Sequence, residues 1–134
     1  ALRPTRLQEL LEAAYAAITE GDTEVERMRE IYRRRRDLML NALDGVPGIR
    51  GLKPDAGMFM MIDVAATGLT AKEFAWKLYE ATGVAALDAS PFGPSAKGFL
   101  RVAFTIAEAE LEEAARRIRH FCESRAAGDT RNVA

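Results

Sequence analysis

Apolar residues at Leu7, Leu10, Leu11, Ala14 and Ile18 recur with the helical period, behind Pro4 and Thr5-x-x-Gln8 and ahead of Gly21. That combination of start signal, stripe and stop signal predicts a helix over residues 5–20. A second pattern opens at Thr23-x-x-Glu26, a capping-box spacing, and carries Val25, Met28, Ile31, Tyr32, Leu38, Met39, Ala42 and Leu43 to residue 43. Residues 44–51 hold Asp44, Gly45, Pro47, Gly48 and Gly51 and are predicted as turns. The apolar run over residues 58–64 is too short for a typical helix and follows Gly57, so it is expected to be a strand buried on both faces. Thr70-x-x-Glu73 starts a third helix, with Phe74, Leu78 and Ala81 or Thr82 on one face and Gly83 where a left-handed end needs no Cβ. Residues 84–87 then predict a short strand. A loop over residues 88–98, punctuated by Pro91, Gly93, Pro94 and Gly98, leads into a strand over residues 99–105. In that strand Leu100, Val102 and Phe104 face one way and Arg101 the other. The last helix is expected from Thr105-x-x-Glu108, with Leu111, Ala114, Ala115, Ile118, Phe121 and Cys122 on its apolar side, before a polar tail over residues 125–134 that should fray.

The order helix, helix, strand, helix, strand, strand, helix holds too few strands for a doubly wound domain and too many helices for a sandwich. It predicts an α+β fold, a small antiparallel or mixed sheet of about three to four strands covered by helices on one face. The other face is left for another domain, a ligand or a second subunit.

Composition narrows the function classes. In 134 residues, 19 Lys and Arg oppose 20 Asp and Glu, a formal net charge of −1, which gives no electrostatic reason to expect nucleic acid or an anionic membrane as a partner. One cysteine, Cys122, and one histidine, His120, provide neither an internal disulfide nor a zinc ligand set. No apolar run approaches the ~20 residues that cross a bilayer, and a cytoplasmic location is expected. The chain opens at Ala1 without an initiator Met, so it is either processed or a piece of a longer polypeptide.

Among candidate functional residues Arg101 comes first. An arginine inside an apolar strand keeps its charge and must find a partner or water, and its planar fork suits a carboxylate. The alternatives are a solvated sheet face or an internal ion pair. The loop over residues 88–98 is long for a strand connection and could bring backbone to a ligand, as could Gly57-Met58-Phe59, against the plainer readings of a surface loop and turn punctuation. The run Arg33 to Arg36 has Glu26, Glu30 and Asp37 around it, with Glu30 and Arg34 spaced for an ion pair, and reads as a solvated helix face rather than a nucleic-acid contact. Arg35 falls on the apolar stripe, so its stem should lie along the core or reach a partner. His120 and Cys122, two apart on a helix, point in different directions and are expected to be structural. No G-x-G-x-x-G, P-loop, H-E-x-x-H or G-x-S-x-G pattern is present.

Taken together, Pro54-Asp55-Ala56-Gly57-Met58-Phe59, the strand to Asp63, Gly83-Val84, Phe92-Gly93, Leu100-Arg101-Val102 and the closing helix through Arg117-Ile118 resemble the C-terminal small domain of class I/II aminotransferases, pyridoxal-phosphate enzymes of fold type I. Tyr32 to Asp37 resembles the long helix that enters that domain. The resemblance implies a leading helix and connection over residues 1–22, the small domain over residues 23–124 and a flexible tail over residues 125–134. It implies that Arg101 binds the substrate α-carboxylate and that Gly57, Phe59 and Phe92 belong to segments near the mouth of the site. Leu87 to Pro91 departs from the Pro-Gly of many relatives and resembles the subgroup that includes arginine:pyruvate transaminases. The family's Schiff-base lysine and cofactor-binding residues lie in its large domain, and Lys53, Lys72, Lys77 and Lys97 match none of their contexts. The implied protein is therefore a longer aminotransferase, a homodimer, that moves an amino group from an amino acid to a 2-keto acid, with pyridoxal phosphate as electron sink. This chain alone would be inactive, with no catalytic, cofactor-binding or metal-binding residue of its own, and its partners would be amino and keto acid substrates and the large domain. Another fold type I enzyme, such as a carbon–sulfur lyase, an aminotransferase-like regulator, or a stand-alone carboxylate-binding module are the alternatives.

Overall fold

The structure, a computed structural model, describes residues 4–129, which fall into two units, residues 1–33 and residues 34–134. The division, between residues 33 and 34, lies inside a helix. Helix α1 is Pro4–Glu20 and α2 is Asp22–Leu43. The Val25 amide donates to the Gly21 carbonyl at 3.0 Å, which makes Gly21 the residue before the helix and leaves Thr23 within the first turn, where it cannot cap. In this first unit Glu24, Glu26 and Glu30 pair with Arg27, Arg29 and Arg33 one turn on, so Glu30 is joined to Arg33 and not to Arg34 as expected. Leu7, Leu10, Leu11, Tyr15 and Ile18 are exposed along α1.

The second unit is built on a four-stranded antiparallel sheet in the order β1-β2-β4-β3. Its strands are β1 (Arg50–Leu52), β2 (Phe59–Asp63), β3 (Leu87–Asp88) and β4 (Phe99–Ala103). The α+β expectation holds, with corrections to individual strands. Strand β1 lies where only turns were expected. Gly51 is a packing glycine as much as a turn residue: a Cβ there would come within 2.9 Å of the Met60 methyl and 3.4 Å of a Leu40 methyl. Strand β2 is buried on one face, not both. Met60 and Ile62 are in the core, whereas Phe59 is exposed and Met61 half-buried. The expected strand over residues 84–87 shrinks to Leu87–Asp88 because the Val84 amide is taken by the Thr82 hydroxyl at 3.2 Å, just beyond the helix end.

Helix α3 (Ala71–Thr82) forms as its sequence predicts. Thr70 and Glu73 close a reciprocal capping box, and Gly83, at φ 73°, ends the helix with its amide on the Tyr79 carbonyl. Ala71, Phe74 and Leu78 are buried, and Ala81 is not. Helix α4 (Glu108–Asp129) starts later than expected and runs past residue 125. Thr105 lies three residues ahead of it; the Thr105 carbonyl accepts from Arg35 Nη1 at 2.9 Å, and Glu108 pairs with Arg34 at 3.3 Å. Glu110 instead reaches back to the Ala107 amide at 3.3 Å. Arg125 lies 5.9 Å from the Phe121 ring, within the stretch expected to fray, and residues 130–134 lie outside the described residues.

The core lies between one face of the sheet and α3, α4 and the C-terminal part of α2. Met39, Leu43, Met60, Ile62, Phe74, Leu78, Leu100, Phe104, Leu111 and Ile118 are each at most 2% exposed. Phe74 meets Phe121 edge to face with centroids 5.4 Å apart. Two arginines of α4 close other helices. Arg119 donates to the Ala42 and Asp44 carbonyls at the end of α2, both at 2.9 Å, and Arg117 donates to the Thr82 carbonyl at the end of α3 at 3.0 Å. Glu113 accepts from Arg116 and Arg117, and those bonds hold its carboxyl down to about 2. Burial pushes the Cys122 thiol up from its ordinary value to about 11.

Two expectations follow for urea and alkylation experiments. Thr70→Ala should lower unfolding stability by about 1 kcal/mol through the lost cap, whereas Phe74→Ala should cost about 3–5 kcal/mol through an unfilled core; equal losses would contradict the assigned burial. A thiol whose folded value is raised favours the folded state below its unfolded value near 9, and that preference is lost as pH rises through about 11. At pH 8.5 iodoacetamide should therefore modify Cys122 at least roughly tenfold more slowly in the native protein than in urea, and comparable rates would remove the assignment of Cys122 to the core.

Candidate carboxylate site

Because strand side chains alternate, the residues that put Leu100 into the core turn Arg101 onto the uncovered face of β4. There Arg101 stands in register between Met61 of β2 and Leu87 of β3. The antiparallel pairing continues one step past the strand, the Phe104 amide donating to the Met58 carbonyl at 3.0 Å, which fixes the approach to β2. The Phe59 side chain, diagonal to Arg101 across this pairing, brings its ring centroid within 4.1 Å of the guanidinium carbon.

The second ring comes from the loop over residues 88–98. Asp88 accepts from both the Ser90 amide at 3.0 Å and the Ser90 hydroxyl at 2.7 Å, and these two bonds hold its carboxyl below the usual range. Ala89 is fully buried and its amide donates to the Phe99 carbonyl at 3.0 Å, so the start of the loop is fastened to β4. A 3₁₀ turn over Ser90–Phe92 follows, ended by Gly93 at φ 133°. It carries the Phe92 ring to 4.6 Å from the same guanidinium carbon. Each such cation–ring contact contributes about 0.5–2 kcal/mol, depending on how far water is excluded.

Three of the sequence-derived site residues, Arg101, Phe59 and Phe92, are thus brought together. Gly57 is exposed at φ 84° with open space where a Cβ would stand, in the turn that leads into β2. Among the described residues no carboxylate or carbonyl accepts a hydrogen bond from Arg101. Asp88 and Ser90, which position the Phe92 loop, were missed by sequence reasoning, although Asp-x-Ser is a recognisable side-chain turn signal.

Other candidates separate cleanly. Arg33 and Arg34 are exposed, but Arg36 is only 18% exposed and bonded to Asp37, so the expected solvated face covers only part of the run. Arg35 packs its stem inward as expected. His120 is exposed and Cys122 buried, in different surroundings. A groove of about 560 Å³ lined by Val84, Val102, Ile106 and Ala114 carries Glu113 and Arg117, which are already paired. Among the described residues no three His, Cys, Asp or Glu side chains group as metal ligands, and no helix is long and apolar enough to cross a membrane. Lys53, Lys72, Lys77 and Lys97 are all exposed, and none joins the group around Arg101. An imine-forming lysine needs a desolvated setting, and a cofactor phosphate needs its own cradle, so the described residues do not fit pyridoxal phosphate by themselves.

Residues 1–118 match the family Aminotransferase class I and II. The arginine–pyruvate transaminase of Pseudomonas aeruginosa is 47% identical over 107 residues, which span 80% of this chain and 27% of that protein. The LL-diaminopimelate aminotransferase of Oleidesulfovibrio alaskensis is 34% identical over 111 residues, 83% of this chain and 28% of that protein. In structure, the aromatic aminotransferase from Pyrococcus horikoshii superimposes with a TM-score of 0.76 at 30% identity, over 81% of this chain and 28% of that one. The chain therefore spans just over a quarter of the length of these relatives, with the same α+β sheet and helices. With an arginine fork on the open sheet face and a family match over most of its length, this chain belongs to the class I and II aminotransferases.

Proposed function

We propose that this chain is the C-terminal small domain of a longer pyridoxal-phosphate-dependent aminotransferase, and that Arg101 grips the α-carboxylate of the amino acid and 2-keto acid substrates. The observation that carries the reading is the unpartnered arginine fork on the open face of the sheet, held between Phe59 and Phe92. Arg101 has no acceptor among the described residues, its charge cannot be removed and its donors match two carboxylate oxygens, which supports a binding role.

In this reading Gly57, Phe59 and Phe92 border the place of the carboxylate, and the cofactor is held by polypeptide outside this chain. When bound, pyridoxal phosphate would supply the electron sink for amino-group transfer. Arg101 contributes orientation: fixing both carboxylate oxygens leaves the bond at Cα pointing one way, and an error of about 1 Å in such positioning costs roughly a hundredfold in rate. The exposed stripe of α1, with Leu7 at 50% and Ile18 at 82% exposure, and the open sheet face supply surfaces for the rest of such an enzyme to cover. In this reading the complete enzyme works in the cytoplasm as a homodimer. The relative that transfers between arginine and pyruvate suggests that pair as the first assay.

The test is transamination by the complete gene product with pyridoxal phosphate, using arginine and then other amino acids against pyruvate. Activity is expected, and Arg101→Lys should lower kcat/KM at least roughly a hundredfold, because one ammonium cannot reproduce the planar grip. A loss below threefold would remove Arg101 from the carboxylate. Elimination or regulation without transamination would shift the assignment to another fold type I enzyme, and carboxylate binding by a native product no longer than this chain would shift it to an independent module.

A further inference from the structure

Phe59 and Phe92 are 39% and 58% exposed, and both rings lie against the Arg101 guanidinium. Phe59 comes from β2 and Phe92 from the turn that follows β3, and these two strands pair with opposite edges of β4. A guanidinium offers a carboxylate its hydrogens only in its own plane, while its two faces attract the electron-rich faces of aromatic rings. A ring on either flank therefore leaves the plane open and restrains rotation of the fork. Each ring is carried by a separately fastened element, Phe59 by the paired strand β2 and Phe92 by the turn that Asp88, Ser90 and buried Ala89 pin to β4.

We propose that Phe59 and Phe92 are positioning residues that clamp the Arg101 guanidinium in one plane, so that it receives a carboxylate edge on, and that they act through Arg101 and not by touching the substrate. This rests on the carboxylate reading of Arg101. It distinguishes the rings from ordinary lining residues, whose removal would cost the same whatever stood at position 101. The arrangement also gives the departure at residues 87–91 a purpose: Asp88 and Ser90 supply the side-chain turn that sets the height of the Phe92 ring.

The experiment is a set of double-mutant cycles in the complete enzyme with its cofactor, reading kcat and KM for the amino acid and inhibition by a simple carboxylate, acetate. Both rings are surface groups, so Phe59→Leu and Phe92→Leu leave the core intact. Each should lower kcat/KM and weaken acetate inhibition by roughly five- to tenfold, while Phe59→Tyr, which keeps the ring, should stay within about twofold of the parent. In the Arg101→Lys background, where there is no plane to orient, the same leucine substitutions should change kcat/KM by less than about twofold. Equal losses in both backgrounds would overturn the clamp in favour of direct substrate contact. A large effect of Arg101→Lys with no effect of either leucine variant would overturn the clamp and keep the carboxylate reading, whereas no effect of Arg101→Lys would overturn both.

Discussion

The alternation of side chains along β4 is the constraint on which the rest of the structure depends. Leu100 is 1% exposed beneath the helices, and the pleat turns its neighbour Arg101 to the opposite side. A permanently charged group can stand in the middle of an apolar strand only because the helices cover one face of the sheet. A one-residue slip in the register of β4 would turn the guanidinium into the core and expose Leu100, so hydrophobic burial and the position of the fork are secured by one pairing. The site is therefore a by-product of the same force that makes the core.

The arginines of this chain show how context, not residue type, assigns a role. Arg35, Arg117 and Arg119 each donate to backbone carbonyls, at Thr105, at Thr82, and at Ala42 and Asp44, close to the ends of strands and helices. They join α2, α3, α4 and the end of β4 across long stretches of sequence. Arg101 differs in what surrounds it: two ring faces, and no acceptor from the described residues. Rings attract the faces of a guanidinium but cannot satisfy its edges, which under the proposed function separates a fastener from a binding group.

Membership of the class I and II aminotransferases accounts for surfaces that a free-standing domain would hide. The chain spans just over a quarter of its relatives' length, and its open sheet face and the apolar stripe of α1 are both uncovered. The described residues contribute a carboxylate-shaped fork and no cradle for a cofactor. Under the proposed function that division is physical as well as sequential, since a binding group on one body and the reacting centre on another allow closure to exclude water.

Local signals were legible in the sequence wherever the physics was local. The Thr70 and Glu73 capping box, the Gly83 helix end and the alternation of Leu100, Arg101 and Val102 need only residues within a turn or a strand, and all three are as the pattern implies. The capping spacing at Thr23 was overtaken locally, because the helix already starts behind Gly21, whereas at Thr105 and Glu108 the partners Arg35 and Arg34 come from about seventy positions away. Strand β1 was invisible because Gly51 reads as a turn, and only the closeness of Met60 and Leu40 shows it to be a packing position. By itself the sequence determined the α+β class, the helices and the side of β4 on which Arg101 stands. Only the tertiary structure decided that Phe59 and Phe92 flank that arginine and that none of its donors is spent within the described chain, because those facts depend on strand order and loop anchoring, which periodicity along one chain does not encode.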